Sequence, residues 1–190
     1  MEIVTVLGSP RKKGNTSKVL GWVEEALEAR GHRVERINVV DHKVNGCKGC
    51  WTCKKFTDKA GCPQKDDAVG ILGRLMASDM VLYASPVYFW GPTAQMKALI
   101  DRHCSLVTGY ATAQWQSLME GRKIGLVVTC EDAAENNTEM LVETFKKLAD
   151  YLKCAYEDTL VVPFTTTPDA MGDEIRQRAA GFAYRIAHMT

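Results

Sequence analysis

Two segments of the chain carry side chains suited to chemistry. Residues 8–17 read Gly-Ser-Pro-Arg-Lys-Lys-Gly-Asn-Thr-Ser and directly follow a short apolar run. Further along, Cys47, Cys50, Cys53 and Cys62 have the spacing C-x2-C-x2-C-x8-C. The first segment has the donors that bind a phosphate group, and thiolates at the second spacing can bind a metal ion or an iron–sulfur cluster.

Residues 8–17 predict a loop that binds one phosphate monoester. A helical pattern follows the loop, and a helix N-terminus offers unpaired N–H groups and a positive dipole end. Five side chains can donate to phosphate oxygens or pair with the charge: Ser9, Arg11, Asn15, Thr16 and Ser17. The loop lacks the Gly-Lys-Ser/Thr end of a Walker A motif, and its glycines do not have the G-x-G-x-x-G spacing. Both observations argue against a nucleoside triphosphate or a dinucleotide as the ligand of this loop. The alternative is an ordinary polar turn.

The cysteine-rich segment leaves three interpretations open. In a reducing compartment, clustered cysteines indicate a metal, a cluster or redox chemistry before they indicate structural disulfides. Cys47, Cys50, Cys53 and Cys62 are therefore candidate ligands of a [4Fe–4S] cluster or a zinc ion, or they are plain thiols and redox-active pairs. The isolated Cys104 and Cys154 are predicted to be buried structural residues.

Apolar runs alternate with helical patterns along the chain and define the elements that position these segments. The runs predict strands at 3–7, 34–40, 80–84, 124–129 and 160–162, the second of them at a sheet edge. Right-handed crossovers then favour an α/β doubly wound parallel sheet of five strands, order 2-1-3-4-5, with helices on both faces.

In such a sheet, ligands bind outside the carboxyl ends of the strands at the switch point. The predicted binding loops are therefore 8–17, 85–93 and 129–137. The stretch 104–121 is longer than a crossover requires, and its aromatic residues indicate a flap or a subunit contact.

Length and charge restrict the class of protein. The chain has 190 residues and shows no internal repeat or linker, so 1–190 is predicted to be a single domain. A formal net charge of +1 gives no reason to expect nucleic-acid or membrane-surface partners. The first residues do not read as a signal peptide, and no apolar stretch approaches the roughly 20 residues that span a bilayer. A cytoplasmic protein is expected.

Three segments together resemble the NADPH-dependent FMN reductase family, a group of flavodoxin-like proteins, and within it the iron–sulfur flavoprotein-type branch. They are Ser-Pro-Arg at 9–11 with Gly-Asn-Thr at 14–16, Ser-Pro-Val-Tyr-Phe-Trp-Gly at 85–91 with Lys-Ala-Leu-Ile-Asp-Arg at 97–102, and Gly-Cys-Lys-Gly-Cys at 46–50 with Cys53, Cys62 and Asp-Asp at 66–67. The resemblance covers about residues 1–130. Beyond them only the order of strands and helices agrees.

The resemblance implies bound FMN, NAD(P)H as co-substrate and a homo-dimer or homo-tetramer. It assigns the FMN phosphate to Ser9, Arg11, Asn15, Thr16 and Ser17. It places Pro86, Val87, Tyr88, Phe89, Trp90 and Gly91 along the isoalloxazine ring, and Thr129, Cys130 and Asp132 in a third loop that reaches the flavin. It also favours a [4Fe–4S] cluster at the four cysteines, although the final spacing in that branch is usually shorter than eight residues.

The residue types of the second loop agree with a flavin contact. Pro86 fixes the chain as it leaves its strand, and Gly91-Pro92 begins the next helix. Tyr88, Phe89 and Trp90 can cover an apolar ring, with Trp90 expected nearest to it and at least one of the three expected in the core.

The sequence thus predicts an FMN-dependent oxidoreductase. Electrons from NAD(P)H or a small donor would pass through FMN to a small acceptor such as a quinone, a flavin, a metal ion or an aromatic compound. No catalytic side chain is assigned, because the flavin carries the chemistry. The alternatives are a flavodoxin-type or iron–sulfur flavoprotein electron carrier and a zinc-stabilised interaction module without flavin.

Overall fold

A computed structural model describes residues 1–110, 112–166 and 171–188, and its strands form one main sheet and a small ribbon. The strands are β1 (Glu2–Leu7), β2 (Arg33–Asn38), β3 (Met80–Pro86), β4 (Val107–Thr108), β5 (Gln116–Ser117), β6 (Lys123–Thr129) and β7 (Ala155–Val162). Strands β2-β1-β3-β6-β7 make a parallel sheet in that order. Counted along the chain without the ribbon, this is the predicted order 2-1-3-4-5.

Within these described ranges, five α-helices cover both faces of the sheet, as predicted. They are α1 (Asn15–Glu28), α2 (Ala68–Ala77), α3 (Ala94–Arg102), α4 (Glu139–Leu152) and α5 (Asp173–His188). Leu20 of α1 and Phe182 of α5 belong to the core on one face. Leu72 of α2, Leu99 of α3 and Phe145 of α4 belong to the core on the other face. Each strand buried between the two layers reads as a continuous apolar run, which is why its position could be predicted.

The register of the three central strands brings their carboxyl ends level. Leu7 of β1 lies opposite Ala84 of β3, and Pro86 at the end of β3 lies opposite Thr129 at the end of β6. The loops that follow continue this pairing, since Gly8 N donates to Ala84 O at 2.8 Å and Val87 N donates to Thr129 O at 2.9 Å. The three predicted binding loops therefore begin side by side.

Three details differ from the sequence-based predictions. The last strand closes at 160–162 as predicted but extends back to Ala155, a stretch that carries no apolar run because β7 is an edge strand and these residues are exposed or half-exposed. The stretch predicted to be a flap or a subunit contact is in part the ribbon β4–β5, and Leu106 and Met119 beside it are buried in the core. Asp67 directly precedes α2 and has a residue type that favours the N-cap position, but its carboxylate accepts from Lys43 N at 2.7 Å and does not cap the helix.

None of the helices in the described parts of the chain is long and apolar enough to cross a membrane.

A buried pair, Tyr83 and His103, joins β3 to the end of α3. His103 Nδ1 lies 2.9 Å from Leu99 O, to which it donates, so Nε2 accepts from the Tyr83 hydroxyl at 2.7 Å. Both side chains are fully buried and fully partnered in the neutral state. Burial lowers the pKa of His103 to about 4.

This histidine is expected to make the fold less stable in mild acid. The unfolded chain protonates it near pH 6.5 and the folded chain only near 4, so the unfolded state binds more protons within that window. Stability should fall by about 3 kcal/mol as pH drops through the window. Urea unfolding at pH 7 and pH 4.5 measures this. His103→Gln should flatten the pH dependence and His188→Gln, at an exposed position, should not; equal slopes in all three proteins would contradict the assignment.

Candidate active site

A cleft of about 1380 Å³ opens at the carboxyl edge of the sheet, where the three predicted loops meet. The cleft exceeds the roughly 300–1,000 Å³ of most small-molecule sites. Twelve of the fourteen predicted cofactor-binding residues line it: Ser9, Arg11, Asn15, Thr16, Pro86, Val87, Tyr88, Phe89, Trp90, Thr129, Cys130 and Asp132. Ser17 and Gly91 do not.

The first loop leaves the N-terminus of α1 open toward the cleft. Arg11 N donates to Ser9 Oγ at 3.1 Å, and Gly14 N donates to Arg11 O at 3.1 Å, so the loop is held by its own contacts. Gly14 occupies the N-cap position and supplies no capping side chain, and no acidic residue lies in the first turn. The first N–H groups of the helix therefore remain available to an anion, with the exposed Arg11 beside them.

The side chains at the start of α1 differ in their partners. Asn15 Nδ2 donates to Thr165 O at 2.9 Å, while its buried Oδ1 has no hydrogen-bond partner among the described residues. Thr16 Oγ1 lies 2.7 Å from Thr129 Oγ1 and ties the first loop to the third. Ser17 Oγ accepts from Arg36 Nη1 at 3.1 Å, away from the cleft. An unsatisfied buried amide oxygen on the wall of a cleft is a position that a ligand donor would satisfy.

The second loop presents three aromatic side chains at the mouth of the cleft. Tyr88 and Gly91 close a tight turn through hydrogen bonds of 2.9 and 3.1 Å. Phe89 and Trp90 at its tip have φ of +48° and +62°, a left-handed conformation that costs energy for bulky residues and is often associated with a functional role. Tyr88 is 43%, Phe89 93% and Trp90 52% exposed, so the prediction that one of them belongs to the core is wrong.

The third loop contributes a rigid floor and an acidic rim. Cys130 N donates to Val162 O at 3.2 Å, and Thr165 N donates to Cys130 O at 3.0 Å. Burial raises the pKa of the Cys130 thiol, which donates to Asp132 O at 3.3 Å. Glu131 and Asp132 are exposed on the rim.

Gly8 allows the first loop to lie against α3. A Cβ atom at this position would lie 2.7 Å from Met96 Cβ and 2.8 Å from Met96 Cε. Thr93 at the N-cap of α3 completes the contact, since its hydroxyl donates to Gly8 O at 2.6 Å and accepts from Met96 N at 3.2 Å. The first and second loops thus share one support.

Sequence reasoning missed the residues that line the cleft but lie outside the three predicted loops. Val40 and Asp41 follow β2, and Asp41 pairs with Lys12 of the first loop at 2.9 Å. Thr165 and Thr166 follow β7. Their position just beyond the carboxyl ends of the edge strands was the available signal.

The cysteine-rich segment borders a second, small pocket of about 100 Å³. Cys47, Cys50, Cys53 and Cys62 all line it, and so does Cys104. Cys104 is half-buried, so its prediction as a buried structural residue is wrong, whereas Cys154 is buried as expected. The chain between α3 and β4 brings Cys104 to this pocket. Because Cys104 is far in sequence from the other four cysteines, the spacing of the cysteines could not indicate this proximity.

The four predicted ligands face different partners. Cys47 Sγ accepts from Gly49 N at 3.4 Å, and Cys62 lies beside the Arg102 guanidinium. Hydrogen bonds from Thr52 lower the pKa of Cys50, while burial and then the neighbouring thiol of Cys104 raise that of Cys53. Across the described ranges, no three cysteine, histidine or acidic side chains converge to hold a metal ion. The thiols as arranged therefore do not fit a cluster or a zinc ion.

A buried ion pair anchors the far end of this segment. Arg102 donates to Asp66 through Nη1 at 2.6 Å and through Nη2 at 3.1 Å, and both side chains are almost fully excluded from solvent. Arg102 also donates to Asn45 O at 2.9 Å. Although burial opposes ionisation, the hydrogen bonds from Arg102 hold the pKa of Asp66 below its usual value. Breaking such a pair is costly because it leaves a buried charge uncompensated.

The fold and the cleft define a flavodoxin-like α/β protein with a ligand site at the carboxyl edge of its sheet. Residues 1–163 match the family described as NADPH-dependent FMN reductase, and the chain belongs to that family of oxidoreductases.

Relatives and solved structures agree with this class. An iron–sulfur flavoprotein of Archaeoglobus fulgidus is 33% identical over 193 residues, which cover 98% of this chain and 79% of that protein. One from Methanocaldococcus jannaschii is 36% identical over 110 residues, 58% of this chain and 55% of that protein, so the match spans about half of its length.

Among solved structures, the NAD(P)H:quinone oxidoreductase of Methanothermobacter marburgensis has a TM-score of 0.74 at 16% identity, covering 100% of this chain and 98% of that one. An FMN-dependent NADH-azoreductase of Bacillus anthracis in complex with FMN has a TM-score of 0.69 at 12% identity, covering 99% of this chain and 100% of that one. At such identities these likenesses are evidence for the fold.

Gly8→Ala is expected to destabilise the protein by about 1–3 kcal/mol, because the added methyl group overlaps the Cβ of Met96, which moves only with α3. Gly46→Ala is the matched control, since a Cβ there meets nothing within 4 Å. Denaturant unfolding of both variants measures the difference. Equal stabilities would show that the first loop and α3 are not tightly opposed.

Proposed function

We propose that the chain binds FMN in the large cleft and uses it to pass electrons from NAD(P)H to a small acceptor. The observation that supports this most strongly is the combination, in one cleft, of an open helix N-terminus with a basic loop and of an exposed aromatic turn. The first suits a terminal phosphate and the second suits a flat, largely apolar ring. FMN carries these two groups at its opposite ends.

Binding of the phosphate falls to the first loop. In this proposal the N–H groups at the start of α1 and the Arg11 guanidinium hold the phosphate oxygens. Asn15 keeps one N–H on Thr165 O, and its free Oδ1 accepts from a hydroxyl group of the ligand. Ser17 is left out of the proposed contacts because its hydroxyl is engaged by Arg36. These contacts orient the ligand without taking part in chemistry.

The ring is proposed to lie against the second and third loops. Backbone groups from Pro86 to Gly91 border it, and the side chain of Trp90 is the proposed nearest neighbour. When bound, the flavin supplies hydride and electron transfer, and the protein orients it and tunes its electronics. The buried Thr16 and Thr129 hydroxyls and the Cys130 backbone keep this floor rigid.

The proposed acceptor is a small, flat molecule such as a quinone, a free flavin or another aromatic compound. The cleft is larger than one cofactor requires, and its exposed aromatic side chains offer a stacking surface for a second ring. A metal ion as acceptor has less support, because stacking would contribute nothing to its binding.

We further propose that residues 1–190 act as one domain, since both cores share a single sheet. Assembly into a homo-oligomer remains a prediction, which light scattering of the purified protein would test. No step is assigned to an iron–sulfur cluster, because the cysteine thiols of this chain face different partners.

Arg11→Ala should weaken FMN binding by about 10- to 100-fold, since a hydrogen bond to a charged group contributes roughly 1.5–3 kcal/mol. Asn15→Ala should weaken it to a smaller extent, and Cys62→Ala should leave it nearly unchanged. Quenching of flavin fluorescence on titration into apoprotein measures each dissociation constant. Equal losses in the arginine and cysteine variants would contradict the assigned roles.

Holoprotein is expected to oxidise NAD(P)H in the presence of a quinone, with turnover followed by the loss of nicotinamide absorbance. Protein that binds FMN yet turns over no quinone, flavin, ferric or azo acceptor would be an electron carrier instead. Protein that binds no FMN would overturn the proposal entirely.

A further inference from the structure

An ion pair lies between α1 and the sheet, among aliphatic side chains. Ile3 and Leu7 of β1 belong to the core beneath α1, and Thr5, which points to the same face, is fully buried between them. Thr5 Oγ1 donates to Glu24 Oε1 of α1 at 2.5 Å. Glu24 pairs in turn with Arg36 of β2, which lies opposite Thr5 in the sheet register. A charged pair is thus built into a layer that is largely apolar.

The Arg36 guanidinium connects the two ends of this polar group. Nε donates to both carboxylate oxygens of Glu24 at 2.9 Å, and Nη2 donates to Oε2 as well. Nη1 donates to the buried Ser17 Oγ at 3.1 Å. Only 14% of the Glu24 side chain and 27% of the Arg36 side chain are exposed, so solvent screens the two charges weakly.

Stability alone does not account for the pair. Exchange of a desolvated ion pair for apolar residues of similar volume is often neutral or stabilising, because the charges lose their hydration. The helix α1 already packs on the sheet through Val19, Leu20 and Val23, which are fully buried. A charged pair in this layer is therefore better explained by its effect on the helix beside it.

The orientation of the pair matches the direction of α1. Ser17 lies in the first turn of the helix, and Glu24 lies seven residues further, about 10 Å along the axis. Because Arg36 contacts both residues, its positive charge lies nearer to the N-terminus of α1 than the carboxylate does. The helix macrodipole also has its positive end at the N-terminus. The two dipoles therefore point the same way and add.

We propose that the Arg36–Glu24 pair strengthens the positive potential at the N-terminus of α1, and that Arg36 is a positioning residue for the phosphate of FMN. The proposal rests on the proposed function, in which this N-terminus binds that phosphate. Arg36 does not line the cleft and touches no ligand. It acts through the Ser17 hydroxyl, which it fixes in the first turn, and through its charge behind the first N–H groups.

The test compares FMN with riboflavin, which has the same ring and ribityl chain but no phosphate. Each is titrated into apoprotein, and flavin fluorescence gives the ratio of the riboflavin to the FMN dissociation constant. Arg36→Met should lower this ratio by about 3- to 10-fold. Glu24→Gln leaves the arginine unopposed and should raise it by about 2- to 5-fold.

A double variant and a matched control complete the experiment. Arg36→Met leaves an unpaired glutamate that can unfold the protein, whereas the double variant with Glu24→Gln removes both charges. The double variant should lower the ratio by less than Arg36→Met alone. Arg74→Met removes the arginine of another pair on β2, in which Nη1 lies 2.5 Å from Glu35 Oε1, and should leave the ratio unchanged.

Three results would overturn the role of Arg36. They are equal losses of FMN and riboflavin affinity in the Arg36 and Glu24 variants, which a purely structural pair would give, a ratio that falls as much in Glu24→Gln as in Arg36→Met, and a ratio that no variant changes. Unaltered protein that quenches no flavin fluorescence contradicts the function proposed above. Unaltered protein that binds FMN, with a ratio unchanged in the variants, contradicts only the role of Arg36.

Discussion

The lateral alignment of β1, β3 and β6 is the constraint on which the site depends. Because their carboxyl ends lie level, the loops that follow them start as neighbours and continue to exchange backbone hydrogen bonds past the sheet. The contact of Thr93 with Gly8 and that of Thr16 with Thr129 then lock the first loop to the second and to the third. A cleft built this way is largely formed before a ligand arrives, so little of the binding free energy is lost in ordering it.

The two ends of the cleft have opposite physical characters, and the fold explains why. The phosphate end needs a helix N-terminus, which α1 supplies because it starts directly after β1 and points its first N–H groups outward. The ring end needs exposed apolar surface, which a folded chain normally buries. The tight Tyr88–Gly91 turn holds Phe89 and Trp90 in left-handed conformations and so keeps their rings out of the core.

Much of this arrangement could be predicted from sequence because its signals are local. Strands buried on both faces read as apolar runs, and the loops that follow them carry the binding residues. Properties that depend on tertiary contacts could not be predicted in the same way. Ser17 has the right type and position for a phosphate ligand, yet Arg36 of β2 engages it. The polar start of β7 gave no strand signal, because an edge strand is buried on fewer sides.

The cysteines are the clearest case in which tertiary contacts could not be predicted from the sequence. Spacing relates Cys47, Cys50, Cys53 and Cys62 to one another, but contacts from elsewhere shape the segment that carries them. These are the buried Asp66–Arg102 pair just beyond Cys62 and, in the middle of the segment, the hydrogen bond from Lys54 to Cys104 O. Both contacts attach the segment to α3 and the turn after it. Four thiols can surround one metal only if the backbone lets all of them turn inward, and here a fifth cysteine, Cys104, lines the same pocket. The chemistry open to the segment is therefore set by its attachment to α3 as much as by its motif.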